Sequence, residues 1–165
     1  MVGIKRKNDG KMKRKKICFA ASSGGHYEQL MMLKPLMEKY DSFVLTEKTQ
    51  YNATAEKQKT YYLYQVNRKE SCFLPRMIAN AFRSLYIFLK ERPNVVICTG
   101  VLAMIPMCLL VKLSGGKLIY LESFAKVTSP TETGKLLYKF ADRFYVQWES
   151  MKEFYPNAIY LGGIY

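Results

Sequence analysis

Several things are scarce in this sequence, and each shortage excludes a class of protein. Of 165 residues only one, His26, is histidine, and the four cysteines Cys18, Cys72, Cys98 and Cys108 stand singly within apolar stretches. Neither the Cys-x-x-Cys spacing of a zinc site nor the cysteine density of a stapled secreted domain is present, so no metal is expected and a reducing compartment is the simplest setting. The longest apolar run, Val101 to Val111, is roughly half of the ~20 residues that a bilayer-spanning helix requires. A basic start, Lys5 to Lys16, leads into only the short run Ile17 to Ala21, which predicts no secretory signal. The G-x-G-x-x-G spacing of dinucleotide binders and the Gly-Lys-Ser/Thr of a Walker loop are both absent, and no recognised nucleic-acid motif appears, so nucleic acid is not an expected partner. Acids are outnumbered, 13 against 26 Lys and Arg, for a net charge of +13.

That charge is uneven. The first sixteen residues hold eight Lys/Arg against the single acid Asp9, which leaves +6 for the rest. Residues 1–15 therefore read as a basic, disordered tail able to meet an anionic surface, although so short a run is as often a solvated extension. The remainder, 16–165, is 49% apolar when taken with the tail, enough for one domain with one core.

From Lys16 onward, short β-type runs alternate with helical ones. Lys16–Ala21 reads as a strand, Ser22–Gly25 as a glycine loop, and Leu30, Leu33, Leu36 and Met37 recur at helical spacing. Asp41–Thr46 and Tyr61–Tyr64 read as the next strands, with a polar and poorly patterned connection between. Leu74 to Glu91 is a long amphipathic helix ended by Pro93, and Val95–Cys98 a buried strand. Thr99-Gly100 opens a more uniformly apolar helix, and Lys117–Leu121 is another strand. Then follow a loop to Thr133, a helix to Ala141, a strand Arg143–Gln147, a short helix Glu149–Tyr155 and a last strand near Ala158–Leu161. Such alternation predicts an α/β, Rossmann-like parallel sheet with helices on both faces.

Ligands in such sheets bind at the carboxyl ends of strands, which selects Ser22 to His26, Thr99-Gly100 and Glu122-Ser123. Ser22, Ser23, Gly24 and Gly25 lie where a strand end meets a helix start, so their backbone N–H groups suit a phosphate or diphosphate. A plain turn that caps the helix is the competing reading. Thr99 and Gly100 join this set as acceptor- or phosphate-binding candidates. His26 suits proton abstraction from a sugar hydroxyl, and a supporting hydrogen-bonding role is equally open to it. Glu122 is a second proton acceptor, with an ordinary loop cap or ion pair as its competitor.

The two central helices carry Met, Phe, Tyr and Leu edged by Arg and Lys. Most of their apolar residues are expected to face the sheet, with a minority, Phe82 and Tyr86 among them, meeting a membrane beside Arg76 and Arg83. Gln147, Trp148, Gly162, Gly163, Ile164 and Tyr165 form an aromatic, weakly charged end suited to a protein interface, while a core role for Trp148 is equally open.

After Lys16 the chain resembles a known family. The residues that carry the likeness are Ser22-Ser-Gly-Gly-His26, Gln29-Leu30, Leu33-Lys-Pro-Leu36, Asn67-Arg68, Glu91-Arg-Pro-Asn-Val-Val-Ile97, Thr99-Gly100, Gly134-Lys-Leu-Leu-Tyr138, Ala141-Asp142, Val146-Gln-Trp-Glu149 and Leu161-Gly-Gly-Ile164. They resemble the bacterial capsular and exopolysaccharide subunits PssD and CpsF, relatives of the eukaryotic membrane-anchor subunit of the dolichol-pathway UDP-N-acetylglucosamine transferase. The resemblance implies the N-terminal, acceptor half of a GT-B glycosyltransferase, like that of MurG, with Ser23, Gly24, Gly25 and His26 toward an undecaprenyl-diphosphate-linked acceptor. It implies an inverting, two-component hexosyltransferase in which a PssE- or CpsG-like partner binds the UDP-sugar, with no cofactor in this chain. By the same resemblance the chain is expected to be inactive or weakly active alone and to sit peripherally on the cytoplasmic face of the bacterial cytoplasmic membrane. A non-catalytic protein that docks and activates the transferase subunit is the alternative.

Overall fold

The computed structural model describes residues 15–49 and 58–165, so the basic tail read at 1–15 lies almost wholly outside the described residues, as does most of the unpatterned connection before the third strand. Seven strands form the sheet: β1 Lys16–Ala20, β2 Asp41–Lys48, β3 Thr60–Tyr64, β4 Val95–Cys98, β5 Lys117–Leu121, β6 Arg143–Val146 and β7 Ile159–Tyr160. Their order is β3-β2-β1-β4-β5-β6-β7 and every neighbouring pair is parallel, as the βαβ alternation predicts. The direction of winding reverses between β1 and β4, which opens a crevice at their carboxyl ends.

Alternation along β1 shows how the sheet is buried on both faces. Ile17 and Phe19 point into a cluster with Leu30, Met37, Val44 and Ile97, beneath the helices α1 Gly25–Met31 and α2 Lys34–Lys39. Cys18 and Ala20 point the other way, toward Phe43, Leu45, Val96, Met104, Met107 and Tyr120. The helices α3 Phe73–Glu91, α4 Ile105–Leu113 and α5 Glu132–Tyr138 each place residues on that second side.

Local chemistry sets the element ends. The single helix expected over Leu30–Met37 is broken into α1 and α2, because a proline at Pro35 in a continuous helix would lose the bond to the Met31 carbonyl and clash with it. Instead Pro35 occupies the first turn of α2, where no N–H is needed. The helix expected from Thr99-Gly100 starts later, with one 3-10 turn at Leu102–Met104 before α4, and Pro106 again falls in a first turn. Thr131 caps α5, its hydroxyl accepting from Gly134 N at 2.9 Å. The last short helix is 3-10, over Glu149–Glu153.

α3 departs from expectation in a more consequential way. Most of its apolar stripe should face the sheet, yet Leu74, Ile78, Phe82, Leu85, Tyr86 and Leu89 are exposed, while Asn80, Ser84, Ile87 and Glu91 are buried. Two of the inward polar side chains, Asn80 and Glu91, finish the sheet's edge, while the Ser84 hydroxyl is buried without a partner among the described residues. Asn80 Nδ2 donates to Tyr64 O and Asn80 Oδ1 accepts from Tyr64 N, both at 2.8 Å, and so closes the open end of β3. Glu91 accepts from Lys59 Nζ at 2.6 Å, Tyr61 OH at 2.5 Å and Lys16 Nζ at 3.0 Å.

Candidate functional site

The three strand ends singled out by the sequence meet at the crevice between β1 and β4 and beside it. The loop after β1 turns through Gly24, whose φ of 71° favours glycine, and delivers His26 in the first turn of α1. His26 Nδ1 lies 2.7 Å from the carbonyl of Thr99, and Thr99 Oγ1 donates to the His26 carbonyl at 2.9 Å. A carbonyl can only accept, so Nδ1 carries a proton, and in the neutral ring the lone pair is on Nε2. The ring also rests on Gly100, where a Cβ would lie 3.0 Å from its Cε1, and the φ of 129° there is a further requirement for glycine. Val101 follows with a φ of 85°, an uncommon conformation for a β-branched residue and one that marks this turn as held in place by its surroundings. The result is a half-buried imidazole of fixed tautomer beside an open glycine loop, since a Cβ on Gly24 or Gly25 would meet nothing.

Thr99 is corrected as a ligand contact. It is fully buried, its N–H donates to Ala20 O at 3.1 Å, and its carbonyl and hydroxyl are committed to His26. Ser22 is buried too, its hydroxyl donating to Ser23 O, so the accessible part of this loop is Ser23, Gly24, Gly25 and His26.

Glu122 is corrected as a proton acceptor for chemistry. It has no exposed surface, and its side-chain oxygens accept from Ser123 N at 2.9 Å, Thr131 Oγ1 at 2.9 Å and Tyr155 OH at 2.8 Å. Gly134 lies against it so closely that a Cβ would overlap Glu122 Oε2, Tyr155 OH and Thr131 Oγ1. Burial, and after it the Glu122 carboxyl, push the phenols of Tyr120 and Tyr155 well above their ordinary range, which keeps both as donors. Glu122 is a tie between β5, α5 and the segment before β7.

Two buried glutamines do what the sequence reading did not foresee. Gln29 Nε2 and Gln147 Nε2 both donate to the Glu122 carbonyl, at 3.1 and 2.9 Å. Gln29 Oε1 accepts from Phe124 N at 3.0 Å and Gln147 Oε1 from Ile164 N at 3.0 Å. Gln147 is thereby removed from the interface set, because its amide is used internally to hold the chain's last residues. The signal available was the apolar setting of each amide, in the first helix and after β6, since a polar group buried there must find partners. Trp148 is half-buried, donates to Phe124 O at 2.7 Å and packs on the Phe124 ring, whose other contact is Tyr165. Tyr165 remains 61% exposed and Gly163 lies against Phe124, so the aromatic end is a surface of Phe124, Trp148 and Tyr165, with Gly162 and Ile164 in the same tail. Arg76 and Arg83 are both tied locally, Arg76 to Glu70 and Arg83 over the Tyr64 ring, while Phe82 and Tyr86 are 71% and 62% exposed, with the Lys90 ammonium over the Tyr86 ring. Among the described residues no cluster of His, Cys, Asp and Glu could hold a metal ion, and no helix is long and apolar enough to cross a membrane.

Known proteins share this architecture. The fold resembles MurG of Acinetobacter baumannii with a TM-score of 0.67 at 15% identity, over 82% of this chain and 42% of that one. It resembles UDP-N-acetylglucosamine 2-epimerase of Rickettsia bellii with a TM-score of 0.67 at 10% identity, over 92% of this chain and 45% of that one. The chain therefore spans less than half of these solved structures, and the likeness shows a Rossmann-like fold of the glycosyltransferase and epimerase type. Sequence similarity runs to proteins named UDP-N-acetylglucosamine transferase subunit ALG14. The rat protein is 28% identical over 90% of this chain and 82% of its own length, and the human one 30% identical over 63% and 54%. Residues 17–164 match the family described as oligosaccharide biosynthesis protein Alg14 like, and the chain belongs to that family.

Proposed function

We propose that this chain is the docking, acceptor-side subunit of a two-part glycosyltransferase, which holds a donor-binding catalytic subunit at a membrane and lends the Ser23–His26 loop to one wall of a shared cleft. The observation that carries this reading is the His26–Thr99 junction: one imidazole, its tautomer fixed, beside an open glycine loop at the crevice of a transferase-type fold. Relatives named as transferase subunits, matched over most of their length, support the two-part arrangement. With Glu122 sealed, His26 is the one proton acceptor that the sequence reading left facing the loop.

In this reading the partner, of the PssE or CpsG type, binds the UDP-sugar, and the acceptor is a polyprenyl-diphosphate-linked sugar of bacterial capsule or exopolysaccharide synthesis, at the cytoplasmic face of the membrane. An inverting transfer is one displacement. The acceptor oxygen bonds to the sugar's anomeric carbon, the bond from that carbon to UDP breaks, and UDP leaves with the electron pair. The acceptor's proton passes to His26 Nε2. Ser23, Gly24 and Gly25 offer backbone N–H groups to the acceptor's diphosphate.

The test is to purify the partner alone and with this chain, and to assay both on membrane-embedded acceptor with UDP-N-acetylglucosamine. Activity that requires the pair supports the reading. Failure of the two chains to co-purify, or equal activity of the partner alone, overturns it.

A further inference from the structure

The apolar stripe of α3 is not the whole of its exposed face. Between α3 and α4 lies a groove of about 480 Å³ lined by Ile78, Phe82, Leu85, Pro106, Leu110 and Leu113 among others, with no polar side chain in the lining. Phe82 and Leu113, at its rim, are 71% and 84% exposed. At 100° per residue, Leu74, Ile78, Phe82, Leu85 and Leu89 share one arc of α3, of which Ile78, Phe82 and Leu85 form the helix's wall of the groove, and Lys90 and Arg83 lie beyond the Phe82 side of that arc. From Phe73 to Gly116 the chain has five cations against one acid, Glu91, which is buried and paired with Lys16 and Lys59; Arg76 is paired with Glu70 and Lys112 with Asp142, and Arg83, Lys90 and Arg92 supply the positive edge. The face thus shows hydrocarbon edged by positive charge and no free negative charge.

We propose that the α3–α4 face is the seat of this protein on a bilayer rich in anionic phospholipid, with α3 lying in the headgroup plane, its stripe in the acyl boundary and a lipid chain entering the groove. Arg83 and Lys90 then lie at the depth of the lipid phosphates, and the charge complementarity separates this occupant from a second copy of the chain, whose like-charged rim would repel. α3 follows the carboxyl end of β3 and α4 the carboxyl end of β4, so both helices begin at the edge that carries His26, and this seating keeps that loop at the membrane surface. The inference rests on the membrane-docking part of the proposal above and is independent of whether the pair transfers sugar.

Flotation of the full chain with vesicles tests it, comparing phosphatidylglycerol/phosphatidylcholine mixtures with pure phosphatidylcholine at about 0.5 M salt, where attraction by a basic tail alone is screened. The wild type should float with the anionic vesicles, and the double variant Phe82→Glu/Leu113→Glu, whose sites are exposed and whose thermal midpoint should be unchanged, should partition at least tenfold less. A conservative variant, Phe82→Trp, should be quenched by lipids with brominated chains while Trp148 of the wild type is not. Equal flotation of the double variant, an unquenched Phe82→Trp, or self-association of the wild type that the double variant abolishes without any vesicle binding would each overturn the seating. Loss of flotation with transfer intact in detergent would leave the transferase reading standing.

Discussion

Replacing His26 by alanine removes the one ring whose orientation the surrounding turn is built to fix. A positioned base contributes about 100-fold or more, so His26→Ala should lower turnover of the reconstituted pair at least tenfold while leaving complex yield unchanged. Near-normal turnover would confine the residue to supporting its loop. Glu122 should behave in the opposite manner. Glu122→Ala strips an acceptor from Ser123 N, Thr131 Oγ1 and Tyr155 OH together, at about 3 kcal/mol in all, which lowers the thermal midpoint by roughly 6–12 °C. Surviving folded complex should retain its turnover, and a large loss of rate without a loss of stability would restore Glu122 to the chemistry. The two residues looked alike in sequence because both stand at strand ends. What separates them is burial, which depends on Gly134, Thr131 and Tyr155 arriving from distant parts of the chain.

Among elements, α3 holds the largest gap between sequence and structure. Its period and length were legible, and the observed Phe73–Glu91 differs from the expected span by one residue. Its facing was not, because an amphipathic pattern states that one side is apolar without stating what that side meets. Asn80 and Glu91 decide the matter through partners 16 to 75 positions away, Tyr64, Tyr61, Lys59 and Lys16, a long-range condition that no window along the sequence contains. The Glu91 cluster also carries a pH signature. Burial raises the carboxyl's pKa, but hydrogen bonds from Lys59, Tyr61 and Lys16 outweigh it and lower the value to about 2 from an ordinary 4.5. A carboxyl depressed in the folded state stabilises above its unfolded pKa, and that contribution is lost as pH falls from about 4.5 to about 2. With Lys59 half-exposed, the amount is about 2 kcal/mol. Urea unfolding at pH 6 and pH 3 should show a smaller acid loss for Glu91→Gln than for the wild type, and identical losses would remove Glu91 from the account.

At the scale of the molecule, the parallel order, the crevice position and the glycine loop were all readable, since each follows from strand–loop–helix alternation and from glycine where backbone must turn sharply. The division of labour was not, because Gln147, which looked like interface, is an internal tie beside Gln29, and α3, whose stripe looked mostly like core, presents it outward. The domain that results has a glycine-loop edge carrying His26, an apolar flank and an aromatic end, which the proposed function assigns to acceptor, membrane and partner in turn. Flotation of the purified donor-binding partner with anionic vesicles, in the presence and absence of this chain, tests that claim most directly. The account predicts that the partner rises with the vesicles only when this chain is present, and a partner that floats equally well by itself would contradict it.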